Sequence, residues 1–257
     1  MSYKIDKQSL IYKTLELNER FLVGGDNENN SQVDSAAGNG INENNSQVDS
    51  GSDAGNGTNE NKNNSNINLE KRKGNRENFV PYSTLGFLLG RTYVNSRVRD
   101  IIVETYKIQQ TKSPDVIFMY GETGFENGGP FKPHKTHMNG TSVDFMVPII
   151  NKDEESIPLP TSVFNKFGYS IEFTLDGKFK NYEIDFESMA SHLKSLHQIS
   201  VSMGYGIQLV IFDPKMRHHL INTVDGEYLK NNLKFNTKRV WVRHDEHYHV
   251  NFDIPTE

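Results

Sequence analysis

The chain has 257 residues, 24% of them charged and 35% hydrophobic, with a formal net charge of -5, a pI near 6.0 and a mean hydropathy of -0.66. That acidic balance leaves no general basic footprint for nucleic acid. The absence of cysteine removes disulfides and thiolate chemistry, and no run of about 18 apolar residues is available to span a membrane.

Residues 1–23 read as a mixed-charge leader with Leu10, Ile11, Leu15, Phe21 and Leu22, enough for a short amphipathic helix. It lacks the continuous apolar run and small-residue cleavage site of a secretory signal. Residues 24–75 are Asn, Ser, Gly, Asp and Glu with scattered apolar positions, too few to offset the entropy of ordering, and are expected to be disordered. Asn27 to Ser35 recurs letter for letter at Asn42 to Ser50, and Ala37-Gly38-Asn39-Gly40 returns at Ala54-Gly55-Asn56-Gly57. A repeat this short with no apolar face to stack indicates a flexible linker instead of a solenoid. Residues 76–257 remain as a single domain of ordinary size.

Within that domain Asn95 or Ser96 can cap a helix whose buried face is Val98, Ile101, Ile102, Thr105, Tyr106 and Ile108, stopped at Ser113-Pro114. A short strand, Val116 to Tyr120, leads into a glycine-rich loop, Gly121 to Pro130. Val143 to Ile150 reads as a strand with Asp144 inside it, an expensive place for a carboxylate unless it is paired or bound to a cation. Asp176-Gly177 between Tyr169–Leu175 and Lys178–Ile184 signals a two-residue hairpin. A helix follows from Asp185, with Phe186, Met189, Leu193, Leu196, Ile199 and Met203 on one face and a stop at Gly204. Ile207 to Phe212 is the next core strand.

The final strand is expected from Trp241 and Val242 through Phe252. It carries three of the nine histidines within six residues, and alternation along a strand turns His247 and His249 to one face and Tyr248 to the other. Two imidazoles make half of a zinc site, which normally takes three protein ligands plus water when catalytic. The segment Pro133 to Asp144 offers His134, His137 and a carboxylate about a hundred residues earlier. His192, His197, His218 and His219 have no partner at ligand spacing and are read as structural or solvent-facing.

Five stretches bring a resemblance into view: Gly121-Glu122-x-Gly124; Gly128-Gly129-x-Phe131; His134-x-x-His137-x-x-Gly140-x-x-x-Asp144; Val210-x-Phe212-x-Pro214; and Trp241-x-x-His244-x-x-His247-x-His249-Val250. In this order and spacing, from about Gly90 to Pro255, they resemble the penicillin-insensitive murein endopeptidases, the MepA-like branch of the LAS metallopeptidases. The resemblance implies an α+β domain centred on a single antiparallel sheet with flanking helices. It implies one zinc ion held by His137, Asp144 and His249, a ligand set that also suits zinc chemically. His247 would be the general base or a transition-state stabiliser, with His244 and His134 assisting at the substrate. The implied reaction is hydrolysis of D-alanyl-diaminopimelyl cross-links between peptidoglycan stem peptides, in the periplasm or cell envelope. With no secretory signal visible, two expectations stay open: export by a non-Sec route, or a sequence trimmed of its leader. Two alternatives stay open: a D-Ala-D-Ala dipeptidase or carboxypeptidase on the same scaffold, and a non-catalytic zinc-bearing cell-wall binding module.

Overall fold

A computed structural model describes residues 78–132, 136–238, 240 and 242–255. The leader, the repeat-bearing linker, His134 and Trp241 lie outside the described residues. The fold is mixed α/β, with two sheets and five α-helices among the described residues. One sheet was expected; the second arises because the chain leaves the first after Met146, and Pro148 interrupts the ladder before Ile149.

The larger sheet has the order β1-β2-β3-β9-β8. Its strands are β1 (Phe79–Pro81), β2 (Phe118–Tyr120), β3 (Ser142–Met146), β8 (Gly206–Ile211) and β9 (His247–Asp253). The β1–β2 pair is parallel and the others antiparallel. The smaller sheet runs β5-β4-β7-β6, from β4 (Ile149–Ile150), β5 (Ser156–Ile157), β6 (Lys178–Phe179) and β7 (Tyr182–Ile184).

Ahead of β2 come α1 (Thr84–Leu88) and α2 (Ser96–Lys112). Asn95 caps α2 by accepting from the Arg97 N–H, and Ser113 closes it, as the capping pattern predicts. Its Val98, Ile101, Thr105 and Tyr106 are buried. The helix from Asp185 also forms, as α3 (Phe186–Ser202), with the Asp185 carboxylate accepting from the Ser188 N–H. Two short helices, α4 (Arg217–Ile221) and α5 (Gly226–Asn232), follow β8. Rings from α2 and α3 cover one face of the large sheet: Tyr106 lies against Phe118 at 6.1 Å, and His192 against Phe118 and Phe145 at 5.0 Å each.

Two expected strands shift. The hairpin is β6–β7, turning at Lys180 and Asn181 instead of Asp176-Gly177. Gly177 does adopt φ +78° and the Thr174 N–H reaches the Lys178 carbonyl across it, but residues 169–171 bond back to the turn before them and side chains take both backbone groups of Phe173. Asp245 accepts from the Phe173 N–H at 2.7 Å and Arg243 donates to the Phe173 carbonyl at 2.9 Å. The same Arg243–Asp245 pair holds the chain out of register ahead of β9, so that strand starts at His247 and not at Val242.

Candidate metal centre

The register of two strands builds the centre. β3 and β9 pair so that Asp144 stands directly opposite His249, and Met146 opposite His247. Directly opposed residues share a face, so Asp144, His247 and His249 project together while Phe145 and Tyr248 project to the helices. The third donor arrives from a 3-10 turn, His137–Asn139, ended by Gly140 at φ +69°. A Cβ on Gly140 would stand 2.7 Å from the Asn95 N, so only glycine lets this turn close on the start of α2.

Three donor atoms converge in the interior. Asp144 Oδ1 lies 2.7 Å from His249 Nδ1 and 3.3 Å from His137 Nε2, and the two imidazole nitrogens are 3.1 Å apart. Donors about 2.0–2.1 Å from one tetrahedral zinc ion stand about 3.3 Å apart, so the triangle is near the size such an ion requires. Tautomers follow from the outer partners. His137 Nδ1–H donates to the Thr123 carbonyl at 3.0 Å, and His249 Nε2–H to Asn251 Oδ1 at 2.7 Å. Both facing nitrogens then carry lone pairs toward a carboxylate, in a place where His137 and Asp144 are fully buried. Lone pairs so aimed repel one another unless a cation or proton sits among them. The residues therefore fit a metal, and His137, Asp144 and His249 form a buried group able to hold one.

Around the triad, charges set protonation. Without a metal, burial alone would raise the Asp144 pKa, but a proton on His137 and the charge of His247 outweigh it and hold the carboxyl well below the usual range. Burial pulls His247 the other way, and the carboxylates of Asp144, Glu246 and Asp245 overcome it, lifting the ring to about 9. His247 Nδ1 contacts Glu246 Oε1 at 2.9 Å, its Nε2 is 3.9 Å from Asp144 Oδ2, and that buried Nε2 has no hydrogen-bond partner among the described residues. His244 packs on His247 with ring centroids 4.5 Å apart. Burial and the His247 charge depress its pKa to about 3, so it is neutral at pH 7.

The group opens on a cleft of about 730 Å³, lined among others by Arg91, Glu122, Lys166, Tyr169, His244, His247 and His249. Arg91 is paired with Glu122 at 2.6 Å and lies 4.2 Å over the Phe131 ring. His137, Asp144, His249, His247 and His244 thus come together as the spacing suggested, and Glu122 reaches the same cleft. Tyr248 faces away, donating to His192 Nδ1 at 2.8 Å. Sequence reasoning missed Tyr169, whose hydroxyl donates to Asp144 Oδ2 at 3.0 Å, and Asn251. The latter had a signal, since two residues past His249 on a strand is the same face; Tyr169 had none.

No family model matches the chain, and no curated protein matches it. Among the described residues no helix is long and apolar enough to cross a membrane.

Proposed function

We propose that residues 76–257 form a LAS-type zinc metallopeptidase of the MepA-like kind, which hydrolyses D-alanyl-diaminopimelyl cross-links of peptidoglycan in the periplasm or cell envelope. One observation carries the reading. Two histidines and an aspartate from distant segments meet in the interior, and beside them His247 presents a buried nitrogen with no hydrogen-bond partner among the described residues, at a cleft of about 730 Å³.

His137, Asp144 and His249 would hold a zinc ion, which would supply Lewis acidity at the substrate carbonyl and make water a stronger acid. The protein does the rest. His247 gives its Nδ1–H to Glu246, which leaves Nε2 to take the attacking water's proton and pass it to the departing amine. A cation held by His137, Asp144 and His249 would offset the Asp144 charge that helps to raise His247, which would favour the neutral, proton-accepting ring. His244 keeps its Nδ1–H on the Val242 carbonyl at 3.0 Å, leaving a neutral ring as acceptor for substrate N–H groups. Arg91 and Glu122 form one wall, their charges already matched.

Incubating zinc-loaded protein with purified sacculi, followed by mass analysis of released muropeptides, tests this directly. Cross-linked dimers should resolve into monomers with a new diaminopimelyl amine; an unchanged muropeptide profile removes the hydrolase reading. The carboxypeptidase alternative draws on Lys166, a cation lining the cleft with no ion pair among the described residues, and suited to a free carboxylate. Loss of terminal D-alanine from uncross-linked peptides, with dimers intact, selects it.

A further inference from the structure

We propose that Tyr169 is the positioning residue that commits Asp144 to metal ligation through Oδ1 alone. The inference rests on the metal-binding reading of the triad and does not depend on the bond cleaved.

A phenol oxygen has one hydrogen to give and lone pairs to receive. The Glu122 N–H donates to the Tyr169 hydroxyl at 3.0 Å, and the hydroxyl in turn is 3.0 Å from Asp144 Oδ2. An incoming N–H on the oxygen's acceptor side directs the O–H to the carboxylate. Asp144 Oδ2 is thereby occupied by the phenol, with His247 Nε2 3.9 Å from it, while Oδ1 faces His249 Nδ1 and His137 Nε2 at 2.7 and 3.3 Å. The two oxygens of one carboxylate have been given different work.

Neighbouring residues fix that division. Gly121 abuts the phenol: a Cβ there would stand 2.9 Å from the Tyr169 hydroxyl and 3.1 Å from the Asp144 Cβ, so a side chain would push the two apart. The backbones of residues 121–122 and Asp144 are tied in both directions, Gly121 N–H to Asp144 carbonyl at 2.6 Å and Asp144 N–H to Glu122 carbonyl at 3.0 Å. On the other side, a 3-10 turn, Val163–Gly168, delivers the tyrosine. Within it Lys166 and Phe167 take φ of 50° and 55°, a left-handed pair that L side chains adopt only under constraint. Asn165 Oδ1 holds the turn by accepting from the Ser162 and Gly168 N–H groups at 2.8 and 2.9 Å. The Tyr169 ring then wedges edge-on against Tyr82 and His247, with centroids 6.0 and 5.0 Å away.

A carboxylate with both oxygens available to an ion can bind through both and occupy a position that water or substrate needs. Holding Oδ2 in a hydrogen bond preserves the open position of a catalytic zinc site, and it orients Oδ1 in the way outer partners orient metal ligands generally.

Titration of metal-free wild-type and Tyr169→Phe protein with Zn²⁺ and with Co²⁺ alone tests the assignment. Phenylalanine keeps the ring contacts and removes only the hydroxyl. The variant should bind Zn²⁺ about 10–100-fold more weakly, and its Co²⁺ visible absorption should weaken and shift as the second oxygen joins the ion and coordination rises above four. Equal affinity with an unchanged Co²⁺ spectrum overturns the proposal. Should the variant not fold, infrared spectra of the wild-type carboxylate on Zn²⁺ binding decide it: a wide splitting of the stretching bands marks one bound oxygen, and a narrow one overturns the claim. Metal binding that depends on Tyr169 without any cleavage of sacculi leaves this inference standing and removes the hydrolase. Cleavage with no dependence on Tyr169 does the reverse, and a wild-type protein that takes up no metal removes both.

Discussion

The two faces of the β3–β9 ladder hold two buried histidines that respond to burial in opposite ways. On the helix-covered face His192 lies among Phe118, Phe145 and Tyr106, and burial alone drives its pKa down to about 3. On the cleft-facing side His247 is equally buried, yet Asp144, Glu246 and Asp245 lift it to about 9. The backbone separating them is one strand thick. What differs is whether carboxylates or aromatic rings supply the neighbours, so alternation along β9 sorts chemistry to one side and packing to the other.

The division predicts that damage on one face leaves the other untouched. His247→Ala carries the largest expected effect: turnover on sacculi about 10²–10⁴-fold lower, with zinc content by elemental analysis unchanged. Loss of the metal together with the activity would mean that His247 belongs to the ligand set.

Stability against pH separates the faces next. His192, depressed in the fold from 6.5 to about 3, costs nothing above pH 6.5 and penalises folding increasingly as pH falls toward 3, at about 1.4 kcal/mol per pH unit. His247 in the metal-free protein has the opposite sign. Its contribution is full below pH 6.5 and lost as pH rises through about 9. Denaturant midpoints across pH should therefore show His192→Phe flattening the acid limb while the alkaline limb persists in the metal-free form. An acid limb unaltered by the substitution would place the titrating group elsewhere.

The smallest effect concerns a single hydrogen bond. Tyr248→Phe leaves His192 Nδ1 buried without its donor and should cost about 1–3 kcal/mol, much of it recovered when His192→Phe is added, since removing both partners can be nearly neutral. Metal affinity should not move in either variant. A change there would join the two faces energetically and end the separation drawn above.

How much of this was readable in the sequence depends on the range of the interaction. Helices α2 and α3 were legible because cap, periodicity and stop are all local. Asp144 and the His247–His249 pair were legible because a carboxylate in an apolar strand and two imidazoles two residues apart are unusual on their own account. Tyr169 was not, since nothing near it in the chain distinguishes a phenol that packs from one that grips a carboxylate 25 residues away. The hairpin was misplaced for a related reason. Asp176-Gly177 does turn, but Asp245 and Arg243, some 70 residues on, take both backbone groups of Phe173 in the strand expected before it.

Sheet order carries one more consequence. β9 lies between β3 and β8, yet a ribosome makes both flanking strands before it. Until β9 emerges, the sheet has a gap at its middle, the ladder that aligns Asp144 is unmade, and the two earlier pieces have no edge in common. Closure of that gap spans more than a hundred residues, the kind of long-range pairing that slows folding. The nascent protein can therefore present neither a finished core nor the assembled group of His137, Asp144 and His249 until β9 is inserted, so the same late event delivers both.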